Sequence, residues 1–234
     1  MIRLYIDNPL SENQQISLNE SQSHYIQKVM RLKPNDTILL FNGNNGEWQA
    51  SITALEKKTA ILSLLSQNRP QINEPQLCLL FSPLKPKRQE FLVEKATELG
   101  VSCLWPIRCE RTSIPKVNLE KMRAQAREAA EQCGRLTLPE IKELTSLPQL
   151  LKNWAADNIL LFGDETLTSP SLLTVKRAPE KVYNFLVGPE GGFTHKEYDL
   201  LKSQPQAHGV TLNPNILRAE TAALVGISYL QLGE

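Results

Sequence analysis

Two short stretches near the C-terminus carry the residue types from which a ligand site is most readily built. Val187 to Thr194 reads VGPEGGFT, placing three glycines between an apolar run and a helix start. Glycine adopts backbone conformations that other residues resist, and it lets a ligand approach the main chain closely. Thr194 and Glu197 stand at capping-box spacing, so a helix begins there. Free amides at such a start favour negative charge. The same glycines could equally serve a tight turn and nothing else. The second stretch, Asn213 to Thr221 (NPNILRAET), joins a short strand to an apolar helix and delivers Arg218 and Glu220 at its entrance. Burying such charges unpaired is strongly unfavourable, so the two either pair structurally or face a site.

Other chemistries find little support. No Lys-Ser or Lys-Thr follows the glycines and the three-glycine dinucleotide spacing is missing, which makes nucleoside triphosphates and NAD poor ligands. The chain contains no GxSxG, so a hydrolase of that type is disfavoured. Cys78, Cys103, Cys109 and Cys133 form no CxxC pair, and His24, His195 and His208 complete no ligand spacing; no metal is expected. The formal net charge is +1, so any nucleic-acid contact must come from a local patch. Between Lys85 and Arg135, Lys and Arg outnumber Asp and Glu, and the run Lys85, Lys87, Arg88 is compact enough to touch adjacent phosphates. Runs of this kind are also found as plain solvated faces.

The elements that must hold these residues follow from periodicity. With 234 residues, 41% hydrophobic and 22% charged, the chain suits two unequal globular domains. Strands are predicted over Ile2 to Ile6, Thr37 to Phe41, Glu47 to Leu55 and Ala60 to Leu65, with NGNNG at Asn42 to Gly46 as a turn. Tyr25, Val29 and Leu32 mark a helix within Ser21 to Arg31. These elements fit a small β-barrel with one short helix. Asn68 to Pro75 (NRPQINEP) reads as a connection between domains. Beyond it, strands near Leu77 to Phe81, Cys103 to Ile107, Ile159 to Phe162, Tyr183 to Val187 and Val210 to Leu212 alternate with helices, which argues for a parallel α/β sheet. The helices are Gln89 to Leu99, with Phe91, Leu92, Ala96 and Leu99 on one side, Asn118 to Cys133, and Ala219 to Leu232, apolar almost all round and so expected to be buried on several sides. The start, MIRLYIDNPL, has no long apolar core or small-residue cleavage site, and no later run is apolar over the ~18 residues of a membrane span. A reducing cytoplasm, with no membrane partner, is the expected location.

GPEGGFT followed by ILRAETA near the C-terminus closely resembles the RsmE family of small-subunit ribosomal RNA uridine methyltransferases. Arg3 to Tyr5, His24 with Val29 to Arg31, the turn at Gly43, KATELGV at Lys95 to Val101 and AREAAEQCGR at Ala126 to Arg135 also look like that family's pattern, in order. The resemblance covers essentially the whole chain. It implies an α/β protein with a PUA-like β-barrel over residues 1–70 that helps hold RNA, and a SPOUT methyltransferase domain over residues 76–234, with a parallel sheet and a C-terminal trefoil knot, a feature very rare in proteins.

It further implies that S-adenosylmethionine (SAM) sits bent in the knot, held by Gly163, Val187, Gly188, Pro189, Glu190, Gly191, Gly192, Leu212, Ile216, Leu217, Arg218 and Thr221. The family commonly has glycine where this chain has Asn213; asparagine is the next most tolerant residue for a left-handed conformation. The implied reaction is attack of uridine ring nitrogen 3 on the SAM methyl group within 16S ribosomal RNA. Arg218 is the candidate for orienting the base or stabilising charge on its carbonyl oxygens, with Glu190 or Glu220 as proton acceptor. Glu190 could instead cap the following helix, and Glu220 could pair with Arg218. Arg3, His24, Arg31, Lys85, Arg88, Arg127 and Arg135 are the candidate RNA contacts, although His24 could be an ordinary barrel residue. A homodimer, with its site near the subunit interface, is implied as well. A non-catalytic RNA-binding factor for ribosome assembly is the alternative, against which the intact GPEGG and ILRAET motifs speak.

Overall fold

Alternation of apolar and polar residues builds the N-terminal sheet. The computed structural model describes residues 1–72, 74–178 and 180–232, and its contacts divide the chain into two units. In the first unit (Met1–Asn73 with Ala130–Leu138) the strands are β1 (Arg3–Tyr5), β2 (Gln15–Ser17), β3 (Thr37–Phe41), β4 (Glu47–Leu55) and β5 (Ala60–Arg69). They lie in the order β1-β3-β4-β5-β2, with β1 and β3 parallel and the other pairs antiparallel. Every second residue of β3, β4 and β5 turns inward: Ile38 and Leu40, Ala50 and Ile52, Ala60, Leu62 and Leu64 form one core with Leu4, Ile6, Ile16 and Ile26.

Three sequence expectations change in this unit. The helix expected over Ser21 to Arg31 is α1 (Glu20–His24), capped by Asn19, running into a π-helical turn over Tyr25–Val29. The wider turn rotates the face, so that Ile26 is fully buried while Val29 is 58% exposed. Strand β2 carried too short a pattern to be anticipated. Finally, β5 continues through Arg69, so Asn68 and Arg69 belong to a strand and not to a connection; Asn73 of that stretch lies outside the described residues.

The second unit (Glu74–Ala129 with Pro139–Glu234) is built on a seven-stranded sheet, counted among the described residues. Its members are β6 (Cys78–Phe81), β7 (Cys103–Arg108), the short β8 (Glu140–Ile141) and β9 (Thr145–Ser146), β10 (Asn158–Gly163), β11 (Val182–Val187) and β12 (Ala207–Val210). The order is β12-β10-β11-β6-β7-β8, with β9 also on β7, and every pair is parallel. This is the parallel α/β sheet that the alternating pattern predicted. The last strand, expected at Val210 to Leu212, lies earlier, because Ala207 and Val210 supply its buried residues.

Helices α2 (Pro86–Glu98), α3 (Leu119–Cys133), α4 (Leu147–Lys152), α5 (His195–Lys202) and α6 (Ala219–Leu232), with a 3-10 turn over Leu172–Thr174, follow among the described residues. Helix α2 buries Leu92, Val93 and Ala96, but Phe91 is 42% exposed, so the predicted stripe is displaced by one residue. Helix α6 packs on α2, β11 and β6. Its apolar character around the whole circumference does not mean burial all round: Ala222, Ala223, Gly226, Ile227 and Leu230 are buried on one stripe, whereas Val225 and Leu232 face outward. Gly226 is indispensable to this packing, because a Cβ there would stand 2.3 Å from the Phe185 ring.

Candidate functional site

Parallel sheets gather loops at the carboxyl ends of their strands, and ligands bind there in open α/β folds. In the second unit the chain leaving β10, β11 and β12 meets residues that follow β6 and β7 around one cavity of about 870 Å³, within the usual size range of small-molecule sites. The glycine turn follows β11. Gly192 donates to the Pro189 carbonyl at 2.9 Å and has φ of 71°. A Cβ at Gly192 would lie 2.2 Å from Glu165 Oε1. Gly188 is needed for another reason, since its Cβ would meet the Phe193 ring at 2.9 Å. Gly191 has neither constraint. Only the Arg111 side chain, at 3.5 Å, stands near its absent Cβ.

Both predicted caps of α5 are present: Thr194 Oγ1 accepts the Glu197 amide, and Glu197 Oε2 accepts the Thr194 amide at 2.9 Å. Glu197 Oε1 also accepts the Glu110 amide at 2.8 Å. Glu190 does not cap the helix. It pairs with Arg88 of α2, and the Arg88 Nε lies 3.7 Å from Glu220. One arginine therefore stands between carboxylates from the glycine turn and from the start of α6. Glu220 does not pair with Arg218, and its Oε2 is buried with no hydrogen-bond partner. Arg218 is exposed on the cavity and makes no ion pair among the described residues. Asn213 is not left-handed; its side chain accepts the Asn215 amide at 2.9 Å and so shapes its loop by an Asx turn.

Of the residues predicted to hold SAM, Gly163, Val187, Gly188, Pro189, Glu190, Gly191, Gly192, Leu212, Ile216, Leu217 and Arg218 line this cavity, and Thr221 stands exposed in the first turn of α6 beside them in sequence. Residues that the motifs did not reveal also contribute. Arg111 donates to the Gly191 carbonyl at 2.8 Å. Asp164, Glu165 and Leu167 come from the loop after β10, FGDETLTSP, whose Asp, Thr and Ser cluster was a turn signal that pointed to no ligand.

The predicted RNA contacts separate. Lys85 lines the cavity mouth and is exposed, as are His24 and Arg31 in the first unit, Arg31 having a left-handed φ of 55°. Arg88 is held by the two carboxylates, and Arg127 is partly buried in α3. Arg3 and Arg135 turn inward. Arg3 is partly buried, its side chain 9% exposed, and bonded to Glu47 and to the carbonyls of Ala130, Glu131 and Arg135; Arg135 is 8% exposed and bonds Thr137. Neither guanidinium is turned to solvent. Among the described residues there is no cluster of three metal-ligating side chains, and no helix is long and apolar enough to cross a membrane.

A parallel sheet with a glycine turn and a second loop closing on one cavity defines a ligand-binding class of α/β protein, and the comparisons make that class specific. Residues 72–231 match the RNA methyltransferase domain, and residues 18–65 match the RNA methyltransferase PUA domain. The chain is 34% identical to ribosomal RNA small subunit methyltransferase E of Rickettsia conorii, over 98% of this chain and 95% of that protein. It is 31% identical to the protein of the same name from Buchnera aphidicola of Schizaphis graminum, with the same shares covered. The crystal structure of the Neisseria gonorrhoeae methyltransferase E bound to SAM superposes with a TM-score of 0.91 at 30% identity, covering 99% of this chain and 97% of that one. A Legionella pneumophila methyltransferase in complex with SAM gives 0.89 at 28% identity, covering 98% and 96%. The chain belongs to the ribosomal RNA small subunit methyltransferase E family, with a PUA domain preceding a parallel α/β methyltransferase domain.

Proposed function

We propose that this chain transfers a methyl group from SAM to ring nitrogen 3 of a uridine in 16S ribosomal RNA. The observation that carries the reading is the cavity at the sheet's carboxyl edge, where the glycine turn and the 212–218 loop converge in a chain of this family. The residues present fit SAM. Leu167, Leu212, Ile216 and Leu217 offer apolar surface for a purine, the turn offers main-chain groups, and Glu165, Lys85, Arg88 and Arg111 offer polar contacts of both signs. When bound, SAM supplies an electrophilic methyl group on a sulfonium. Methyl transfer into small-subunit RNA, followed by nucleoside analysis for 3-methyluridine, tests the whole reading; methylation at another atom would overturn the assigned position.

What the protein must add is alignment and removal of the imide proton. Arg218, exposed on the cavity, is the group assigned to stabilise negative charge on the uracil carbonyl oxygens. Glu220 is the acceptor: Arg88 neutralises one side of its carboxylate, and the buried Oε2 has no other partner. Glu190 serves as the counter-ion of Arg88. Glu220→Gln is expected to lower kcat about 100-fold, with SAM affinity by calorimetry changed far less. The deficit should shrink as pH rises and the imide ionises unaided. A Glu220→Gln protein at full rate would remove the residue as acceptor.

The same reading makes residues 1–70 an RNA-holding PUA-like barrel and 76–234 the SPOUT catalytic domain. In this reading the chain that leaves edge strand β12 and returns to pack α6 on β11 and β6 threads the C-terminal knot. His24, Arg31 and Lys85 are its exposed phosphate contacts, with Arg88 and Arg127 beside them in the set. Lys85→Ala should reduce the slope of log K against log salt by about 0.7–0.9; an unchanged slope would exclude Lys85 from the contact. The protein acts in the cytoplasm as a homodimer, for which outward-facing Phe91 and Val225 of the packed helices α2 and α6 offer apolar surface. Sedimentation at micromolar concentration reads this directly, and a monomer would contradict it.

A further inference from the structure

Two successive carboxylates follow β10, and the fold treats them in opposite ways. Asp164 is 5% exposed and surrounded by donors: the Thr166 amide and hydroxyl at 2.9 and 2.6 Å, the Ser169 amide and hydroxyl at 3.0 and 2.7 Å, the Thr168 hydroxyl at 3.2 Å and the Tyr198 phenol at 3.1 Å. Burial alone would raise its pKa, but the bonds from Thr166, Ser169 and Tyr198 outweigh it and hold the carboxyl well below its ordinary range. Asp164 is wholly engaged in shaping its own loop. Glu165 is half-buried and lines the cavity. Its Oε1 accepts the Phe193 amide at 3.0 Å, and the Tyr198 phenol lies close enough to be pushed up by burial and by Glu165. The one Tyr198 proton goes to Asp164, so the Phe193 amide leaves most of the roughly four acceptor positions of the Glu165 carboxylate open.

The position of Glu165 indicates which donor would fill the rest. In sequence it lies between Gly163 and Leu167, which share the lining with the apolar Leu212, Ile216 and Leu217. That surface suits a purine, and in a nucleoside the ribose is bonded directly to the base. Lys85, Arg88 and Arg111 are suited instead to an anionic group. A carboxylate at the carboxyl edge of a parallel sheet is a proven partner for ribose hydroxyls in other α/β folds. We propose that Glu165 accepts hydrogen bonds from the ribose hydroxyl pair of the nucleoside ligand, and that residue 192 is glycine because this carboxylate occupies the space of its Cβ. The assignment rests on the cavity being the SAM site.

The test is calorimetric titration of the full chain with S-adenosylhomocysteine and with its 2′-deoxy and 3′-deoxy analogues, for the wild type, Glu165→Gln and Glu165→Ala. Wild-type protein should lose about tenfold or more in affinity when a hydroxyl is removed. Glu165→Ala should bind all three ligands alike, at the level of the deoxy analogues, and Glu165→Gln, which keeps an acceptor oxygen, should discriminate partially. Thermal unfolding of each variant separates this from loss of fold. If Glu165→Ala weakens all three ligands by one factor and leaves discrimination intact, Glu165 is only a tether for the glycine turn and the assignment is overturned. Wild-type protein that binds none of them would overturn the SAM reading, and this assignment with it.

Discussion

Gly192→Val should lower SAM affinity at least about a hundredfold while leaving the first unit's core untouched. Two independent effects act at this position. The backbone has φ of 71°, a region that costs a β-branched residue more than most. Independently, the new Cβ would stand 2.2 Å from Glu165 Oε1 and 3.1 Å from its carboxyl carbon, so the carboxylate must leave. With it goes the 3.0 Å bond to the Phe193 amide that fixes the end of the turn. About 2.7 kcal/mol corresponds to a hundredfold, and strain plus one lost charge-assisted hydrogen bond reach that together. Gly191→Ala is expected to cost much less, because its neighbour is the flexible Arg111 side chain at 3.5 Å. Calorimetry with SAM ranks the two. Equal losses would mean that the turn is sensitive everywhere and that the contact between Gly192 and Glu165 has no special weight.

That contrast shows how far the chain could be read from its residues. The glycines of GPEGGFT were legible as a group, because glycine between an apolar run and a capping box has few explanations. Which glycine is indispensable was not, because the reason is Glu165, a residue of another loop. The same division runs through the elements. Strands β3 and β4 and helix α6 were delimited to the residue, since their alternation or caps are local. Strand β2 and the short β8 and β9 exist by pairing with distant partners, and periodicity over two or three residues carries no signal.

Charged residues were the least legible, since a charge's meaning depends on what faces it. Arg3, Arg88 and Arg135 entered as candidate RNA contacts by type. In the structure Arg3 and Arg135 are internal bonds of the first unit, and Arg88 answers Glu190 and Glu220. The Arg218 to Glu220 pair suggested by proximity in sequence does not form, because at the start of a helix two residues apart point to different sides. Asp164 and Arg111 had no motif to announce them, yet one shapes the loop after β10 and the other holds the Gly191 carbonyl.

The other large effect concerns Glu47, on which the first unit's charges converge. Its carboxylate is 2% exposed and receives Arg3 Nε at 2.5 Å, Arg69 Nε and Nη2 at 3.0 and 2.9 Å, and Asn68 Nδ2 at 2.6 Å. Burial raises its pKa, but the bonds from Arg69, Arg3 and Asn68 outweigh burial and the net shift is downward. Glu47→Ala leaves the Arg3 side chain, 9% exposed, with no carboxylate, and breaking one side of a buried pair costs about 3–5 kcal/mol. Chemical denaturation should show that loss near neutral pH. Because the folded pKa lies below the unfolded one, the stabilisation is complete above the unfolded glutamate value of about 4.3 and is lost as pH falls through the folded value. The difference between wild type and Glu47→Gln should therefore narrow as the medium is acidified below about pH 4.3. A gap independent of pH would show that Glu47 contributes through shape and not through its charge.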